Sequence, residues 1–282
     1  MKCSFCRNES VYFRKNEGHY YCKNHFIKNI EKRLKREIRI NQLIENNDRI
    51  AVALSGGNDS ANLLFLLTKI FRNNPKIEIF AITLDEGIKG YRNYGIKKSK
   101  ILCKKIGVKQ HIFTFKKEFG ITVDELSKKL KNDYYSNCKL LREQLLDKKA
   151  IELGATKLAM GHNLNDECEN IIMNILRGNL QGLSTMGPTS KNSLYPKFAT
   201  RIKPLVLIPE NESFLYGKIN NVPSSPRKCI YSIDNNLRDE ARTLLNNLEN
   251  SSPGLKYSLY ENASNVANFL KTNFEDAKSG NR

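Results

Sequence analysis

Long apolar runs are missing from this chain. No stretch approaches the roughly 20 residues that span a bilayer, which excludes a helix-anchored membrane protein. The opening segment MKCSFCRNES has no signal-peptide core, so an intracellular, cytoplasmic protein without a membrane partner is expected. Acidic residues are scarce: 29 Asp and Glu stand against 47 Lys and Arg, a formal charge of +18. Self-repulsion on that scale excludes a bland solvated surface and makes nucleic acid the first partner class to consider. Seven cysteines, an odd number, do not make a disulfide framework in a reducing compartment and point instead to metal binding or catalysis. Tryptophan is absent. Even so, 13 Phe, 12 Tyr, 40% hydrophobic and 27% charged residues describe a globular chain with a real core. At 282 residues there is room for one domain of ordinary size plus small appendages.

Cys3, Cys6, Cys22 and His25 follow the spacing C-x2-C-x15-C-x2-H, two tight pairs around a ribbon-length segment that turns at Asn16, Glu17 and Gly18. This is tetrahedral zinc spacing, and a closed Cys3His set folds a small module without doing chemistry. His19 falls outside the pattern and is expected to be exposed. From Phe26 on, Ile27, Ile30, Leu34, Ile38 and Ile40 recur at near-helical spacing among Lys28, Lys32, Arg33, Lys35, Arg36 and Arg39. The pattern predicts a basic amphipathic helix suited to a phosphate backbone.

Arg49 to Leu54 reads as a buried strand that runs into Ser55-Gly56-Gly57-Asn58-Asp59-Ser60 and then into a helix from Ala61 to about Phe71. Adjacent glycines let backbone N–H groups close on an anion, the hydroxyls of Ser55 and Ser60 add donors, and the helix dipole favours negative charge. The loop has neither the Gly-Lys-Ser/Thr ending of a Walker loop nor GxGxxG. Downstream the chain alternates: strand 77–84, helix 95–106, strand 110–115, helices within 122–132 and 138–153, strand 156–160, helix 164–177. Such βαβ order predicts an α/β fold with a doubly wound parallel sheet and its ligand at the carboxyl ends of the strands. The expected units are a zinc module over 1–27, an ATP-binding α/β domain over 28–210 and a helical region over 211–282.

The string SGGNDS at 55 is similar to that of the PP-loop ATP pyrophosphatases. Together with DEGIKGYR at 85, GHNLNDE at 161, MNILRGNL at 173 and LNNLENSSPGLK at 245, it makes the chain resemble the TtuA-type tRNA 2-thiolation enzymes over residues 1 to about 260. The resemblance implies a PP-loop (HUP-like) fold and a sulfurtransferase that adenylates the 2-oxygen of a tRNA uridine, releases pyrophosphate and exchanges that oxygen for sulfur. It implies ATP and Mg²⁺ held by Ala53, Leu54, Ser55, Gly56, Gly57, Asp59, Ser60, Gly161, His162 and Asp166. Asp59 and Asp166 would be the acidic catalytic or magnesium-binding residues, and Arg142 would take the place of a cationic residue near the α-phosphate. Asp85, Glu86, Asp166 and Glu167 also fit plain helix-starting carboxylates.

Relatives of this kind hold a [4Fe-4S] cluster on three cysteines. Here Cys138 and Cys229 match two positions and Tyr135 stands at the other; Cys168, the extra thiol near the active-site strand end, reads either as a replacement ligand or, more commonly, as a buried helical cysteine, and Cys103 is most simply core. A second zinc site is also expected of the family near the carboxyl end, where residues 274–282 carry no cysteine. Partners implied by the resemblance are tRNA and a sulfur donor, either a thiocarboxylated ubiquitin-like protein or sulfide, and a homodimer stays open. Three readings stand: a tRNA thiolase, working either on a cluster or on Cys138 and Cys229 as a thiol pair; a tRNA-binding paralogue without sulfur transfer; and another tRNA-modifying PP-loop ligase.

Overall fold

The structure, a computed structural model, describes residues 1–130, 134–190, 199–226, 229–231 and 236–279. The chain opens on a hairpin of β1 (Tyr12–Arg14) and β2 (His19–Tyr21), closed by Gly18 at φ +67°, a left-handed value that costs glycine little. Helix α1 (Lys23–Ile40) follows, and it buries Phe26, Ile30, Leu34 and Ile38 along one stripe. Each of these contributes about 1.5–3 kcal/mol by burial.

The central sheet then forms in the expected alternation: β3 (Arg49–Ala53), α2 (Asn58–Phe71), β4 (Glu78–Asp85), α3 (Arg92–Ile106), β5 (Lys109–Thr114), α4 (Phe115–Phe119), α5 (Val123–Lys129), α6 (Tyr134–Glu152), β6 (Lys157–Ala159) and α7 (Leu164–Leu176). Short elements follow: α8 (Leu180–Ser184), β7 (Thr189–Ser190), β8 (Thr200–Ile202) and α9 (Glu210–Ile219), before the long helices α10 (Asn236–Ser251) and α11 (Leu255–Ser279). Helix α2 begins three residues earlier than expected, so Asn58, Asp59 and Ser60 form its first turn.

The strand order is β5-β4-β3-β6-β8-β7. All neighbouring pairs are parallel except β7 with β8, so the expected parallel sheet carries an antiparallel edge that the sequence reading did not anticipate. The chain runs outward from β3 through β4 to β5 on one side and resumes with β6 on the other. The switch point therefore lies between the carboxyl ends of β3 and β6, where such sheets bind ligands. Alternation along β3 sends Ile50 and Val52 to a core shared with α1, α2 and α9, and Ala51 to a core shared with α5 and α6. A further core joins α7 to α10 and α11.

The boundaries expected at 27/28 and 210/211 fall inside α1 and after the first residue of α9. Helix α9 lies close on α2 at Gly217, where a Cβ would come 2.7 Å from Asn62 Oδ1, and Asn62 donates to the Ser213 carbonyl at 2.7 Å. Among the described residues, no helix is long and apolar enough to cross a membrane.

Candidate active site

At the switch point, β3 ends in the glycine loop and α2 starts from it. Gly56 takes φ +84° and faces α3, where a Cβ would meet the Gly95 carbonyl oxygen, so it serves the turn and does not line the cavity below. Gly57 is the N-cap of α2; its N–H donates to Ser55 Oγ at 3.2 Å, and Ser55 Oγ lies 2.9 Å from Ser60 Oγ. The first turn of α2 leaves N–H groups without partners inside the helix, an arrangement that suits an anion, and its residues line the cavity over the loop. A cavity of about 230 Å³ opens over this loop, lined by Ala53, Leu54, Ser55, Gly57, Asp59 and Ser60 from one side and by Gly161 and His162 from the other. Gly161 also packs directly on the loop, since a Cβ there would stand 2.9 Å from Ser60 N.

Asp59 accepts hydrogen bonds from Ser213 Oγ (2.5 Å) and Asn163 Nδ2 (3.1 Å). Asp166 and Asn163 form a capping box at the start of α7, and Arg238 on α10 reaches Asp166 at 3.2 Å. Asp166 lies behind the cavity wall, not in it. Burial, with Asp59 and Glu169 nearby, pushes the Asp166 carboxyl up to about 7, and burial raises Asp59 as well. Asp59 lines the cavity, where a carboxylate suits a hard cation such as Mg²⁺, whereas Asp166 is taken up by Arg238 behind the wall.

A larger cavity of about 780 Å³ adjoins the first and shares Ser55, Glu86, Arg92, Arg142 and His162 with it. Arg142 on α6 lies on this shared wall and is 47% exposed. It is held by Glu86 at 3.2 Å, and Glu86 is in turn 2.6 Å from Arg92, whose Nε donates to the Leu84 carbonyl and whose Nη1 donates to that of Ser55. Glu86 is thus the buried anchor of two arginines, not a helix-starting carboxylate. Glu167 is likewise buried, 2.9 Å from Lys203 and 3.8 Å from His162 Nδ1. Burial, with Lys203 and Arg238 close by, holds His162 down to about 3, so its ring is neutral at physiological pH.

Cys138 and Cys229 both line the larger cavity. Burial pushes the Cys138 thiol up to about 11 against the pull of Arg142. The side chain of Tyr135 lies outside the described residues. Cys168 does not join this cavity. It is buried in the core under α11, its thiol donates to the Lys256 carbonyl at 3.2 Å, and it therefore supplies no third thiol here. Cys103 is core, as expected. The described thiols of the cavity do not make up a three-cysteine set for a cluster.

Cys3, Cys6, Cys22 and His25 converge with all ligand atoms within 4.8 Å of one another. Cys6 and Cys22 Sγ stand 3.7 Å apart, and His25 Nδ1 lies 3.4 Å from both Cys3 and Cys22 Sγ. Zn–S bonds of about 2.3 Å in a tetrahedron require sulfurs roughly 3.8 Å apart, so the donor set fits zinc. His19 is exposed, as expected.

The sequence reading missed Arg92, Arg201 and Lys203, although Arg92 closes the block DEGIKGYR. It also took Arg33 for a surface cation. Arg33 instead reaches Glu212 at 2.5 Å, the Leu207 carbonyl and the Tyr257 hydroxyl, while Arg14 holds the other Glu212 oxygen at 2.7 Å.

The family model for the PP-loop domain matches residues 25–221. The chain belongs to the PP-loop family. It is 36% identical to a probable sulfurtransferase of Methanocaldococcus jannaschii, over 98% of this chain and 81% of that protein. It is 32% identical to the tRNA 2-thiolation protein NcsA of Haloferax volcanii, over 92% of this chain and 84% of that one. The structure of the U34-tRNA thiolase NcsA from Methanococcus maripaludis with its [4Fe-4S] cluster superposes with a TM-score of 0.86 at 33% identity, covering 95% of this chain and 87% of that one.

Proposed function

We propose that this PP-loop protein is a tRNA 2-thiolation enzyme that spends ATP to AMP and pyrophosphate. The observation that carries the reading is the joined pair of cavities: a glycine-loop anion site opens through Arg142 into a cationic chamber that contains two thiols. Relatives named as tRNA thiolation proteins over most of the chain support it.

A uracil carbonyl oxygen leaves poorly, so it is first joined to the α-phosphate of ATP with loss of pyrophosphate. The N–H groups at the start of α2 and the hydroxyls of Ser55 and Ser60 hold the departing pyrophosphate. Arg142 faces the α-phosphate, where negative charge builds, and Glu86 fixes its direction. Asp59, on the cavity wall, would hold Mg²⁺, which would neutralise the phosphates, while Asp166 behind the wall orients Asn163, the donor to Asp59. Sulfur then attacks the activated carbon and AMP leaves. Cys138 and Cys229 stand in the chamber where that sulfur must arrive, delivered by a thiocarboxylated ubiquitin-like donor or by sulfide. The amino-terminal Cys3His set would hold a structural Zn²⁺ with no open position. Seven free thiols support a reducing, cytoplasmic setting.

Incubating the protein with unmodified tRNA, ATP, Mg²⁺ and sulfide, then digesting the tRNA to nucleosides, should yield 2-thiouridine and one AMP per thiolation. ADP and phosphate as products would sink the PP-loop mechanism. A second reading, a tRNA-binding paralogue without sulfur transfer, draws on Tyr135 at a thiol position. It is separated from the first by tRNA binding without any 2-thiouridine.

A further inference from the structure

His162 follows β6 and stands on the wall that the two cavities share, where the uracil oxygen has to meet the α-phosphate. Its two ring nitrogens face different surroundings. Nδ1 is buried without a hydrogen-bond partner, and 3.8 Å from it stands Glu167 Oε1, which is buried and unpartnered as well. Lys203 holds the other Glu167 oxygen at 2.9 Å. A lone pair on Nδ1 would point at a carboxylate oxygen, so the single proton of the neutral ring belongs on Nδ1. Nε2 then carries the lone pair. The His162 side chain is 43% exposed, and among the described residues no donor reaches Nε2.

The chamber around it is rich in donors. Lys139, Arg142, Arg177, Arg201 and Lys203 can only donate, and the carboxylates Glu86 and Glu143 are taken up by arginines. The amides, hydroxyls and thiols of the wall donate or accept alike, whereas His162 Nε2 is fixed as an acceptor. Uracil offers carbonyl oxygens at positions 2 and 4, which suit the donors, and an N–H at N3 between them. Cytosine has a bare lone pair at N3.

We propose that His162 Nε2 accepts the N3–H of the target uracil and so selects uridine over cytidine, with Glu167 the positioning residue that fixes the tautomer. With cytosine two lone pairs would meet, and a desolvated acceptor would be left unpaired. The inference rests on the thiolation reading above.

The test compares matched tRNA transcripts with uridine or cytidine at the position that the wild-type enzyme thiolates, with kcat/KM read from 2-thionucleoside formation by mass spectrometry. The wild type should prefer uridine by at least about a hundredfold. His162→Gln, whose amide can turn a donor toward the cytosine N3, should cut that preference at least about tenfold, and His162→Ala should cut it in the same direction, both with KM for ATP within about twofold of wild type. Glu167→Gln, whose amide can donate to Nδ1 and so release the tautomer, should cut the preference about fivefold. General damage to the fold lowers both rates and leaves their ratio in place. The wild-type ratio in both His162 variants overturns the assignment. So does a raised KM for ATP at unchanged ratio, which would put Nε2 on the nucleotide. The wild-type ratio in Glu167→Gln overturns the positioning role. A wild-type enzyme that thiolates both transcripts alike sinks the selection and leaves thiolation standing; one that forms no 2-thiouridine sinks the thiolation reading and this inference with it.

Discussion

Cys138 and Cys168 differ at the residue scale by what surrounds them. Cys168 points into the core under α11, lines neither cavity and donates its thiol to the Lys256 carbonyl. Cys138 and Cys229 face the reaction chamber, so Cys138→Ser and Cys229→Ser should each abolish 2-thiouridine formation, while Cys168→Ser should leave it near wild type. Nucleoside mass spectrometry reads the difference, and thiolation that survives in both chamber variants would remove the thiols from the chemistry. Asp166 gives a pH signature. Its folded carboxyl is raised to about 7 from an ordinary 3.8, so its neutral form stabilises the fold below about pH 4 and that contribution is lost as pH rises through 7. Asp166→Asn should therefore melt close to wild type near pH 4 and progressively above it toward pH 8, in Mg²⁺-free buffer. An unchanged gap between the two melting curves across that range would contradict the raised carboxyl.

Helices and strands reveal where sequence reading succeeds. The Cys3His cluster was legible because each pair is only three residues apart, and the glycine loop because one unbroken string carries strand end, turn and helix start. The buried ion networks were not. Glu212 meets Arg14 across 198 residues and Arg33 across 179, separations over which no local pattern signals a partner. For the same reason Arg33 read as one more surface cation; Glu167 does stand in the first turn of α7, and what escaped was its pairing with Lys203 across 36 residues. β7 and β8, of two and three residues, are too short to show any periodicity. The Arg14–Glu212–Arg33 network ties the hairpin and α1 to α9, so Glu212→Ala leaves buried arginine charge uncompensated and should cost about 3–5 kcal/mol in urea unfolding. A loss within experimental error of zero would show that the network carries no stability.

Over the whole molecule, the +18 charge is distributed by use. Arg14, Arg33, Arg92, Arg201 and Arg238 are taken up by carboxylates inside the fold. Lys28, Lys32, Lys35, Arg36 and Arg39 stay exposed along α1, next to the Cys3His cluster. That face is free to replace counterions on RNA, so tRNA affinity should fall steeply between about 50 and 200 mM salt. Neutralising Lys28, Lys32, Lys35 and Arg36 together, with Arg33 spared because it holds Glu212, should flatten the slope of log affinity against log salt by roughly three and leave the melting temperature in place. The same quadruple change made with Arg33 in place of Lys28 should also lower the melting temperature, because it breaks the buried network. Should the first variant bind tRNA with the wild-type slope, the basic helix is a solvated face and the RNA track runs elsewhere on the molecule.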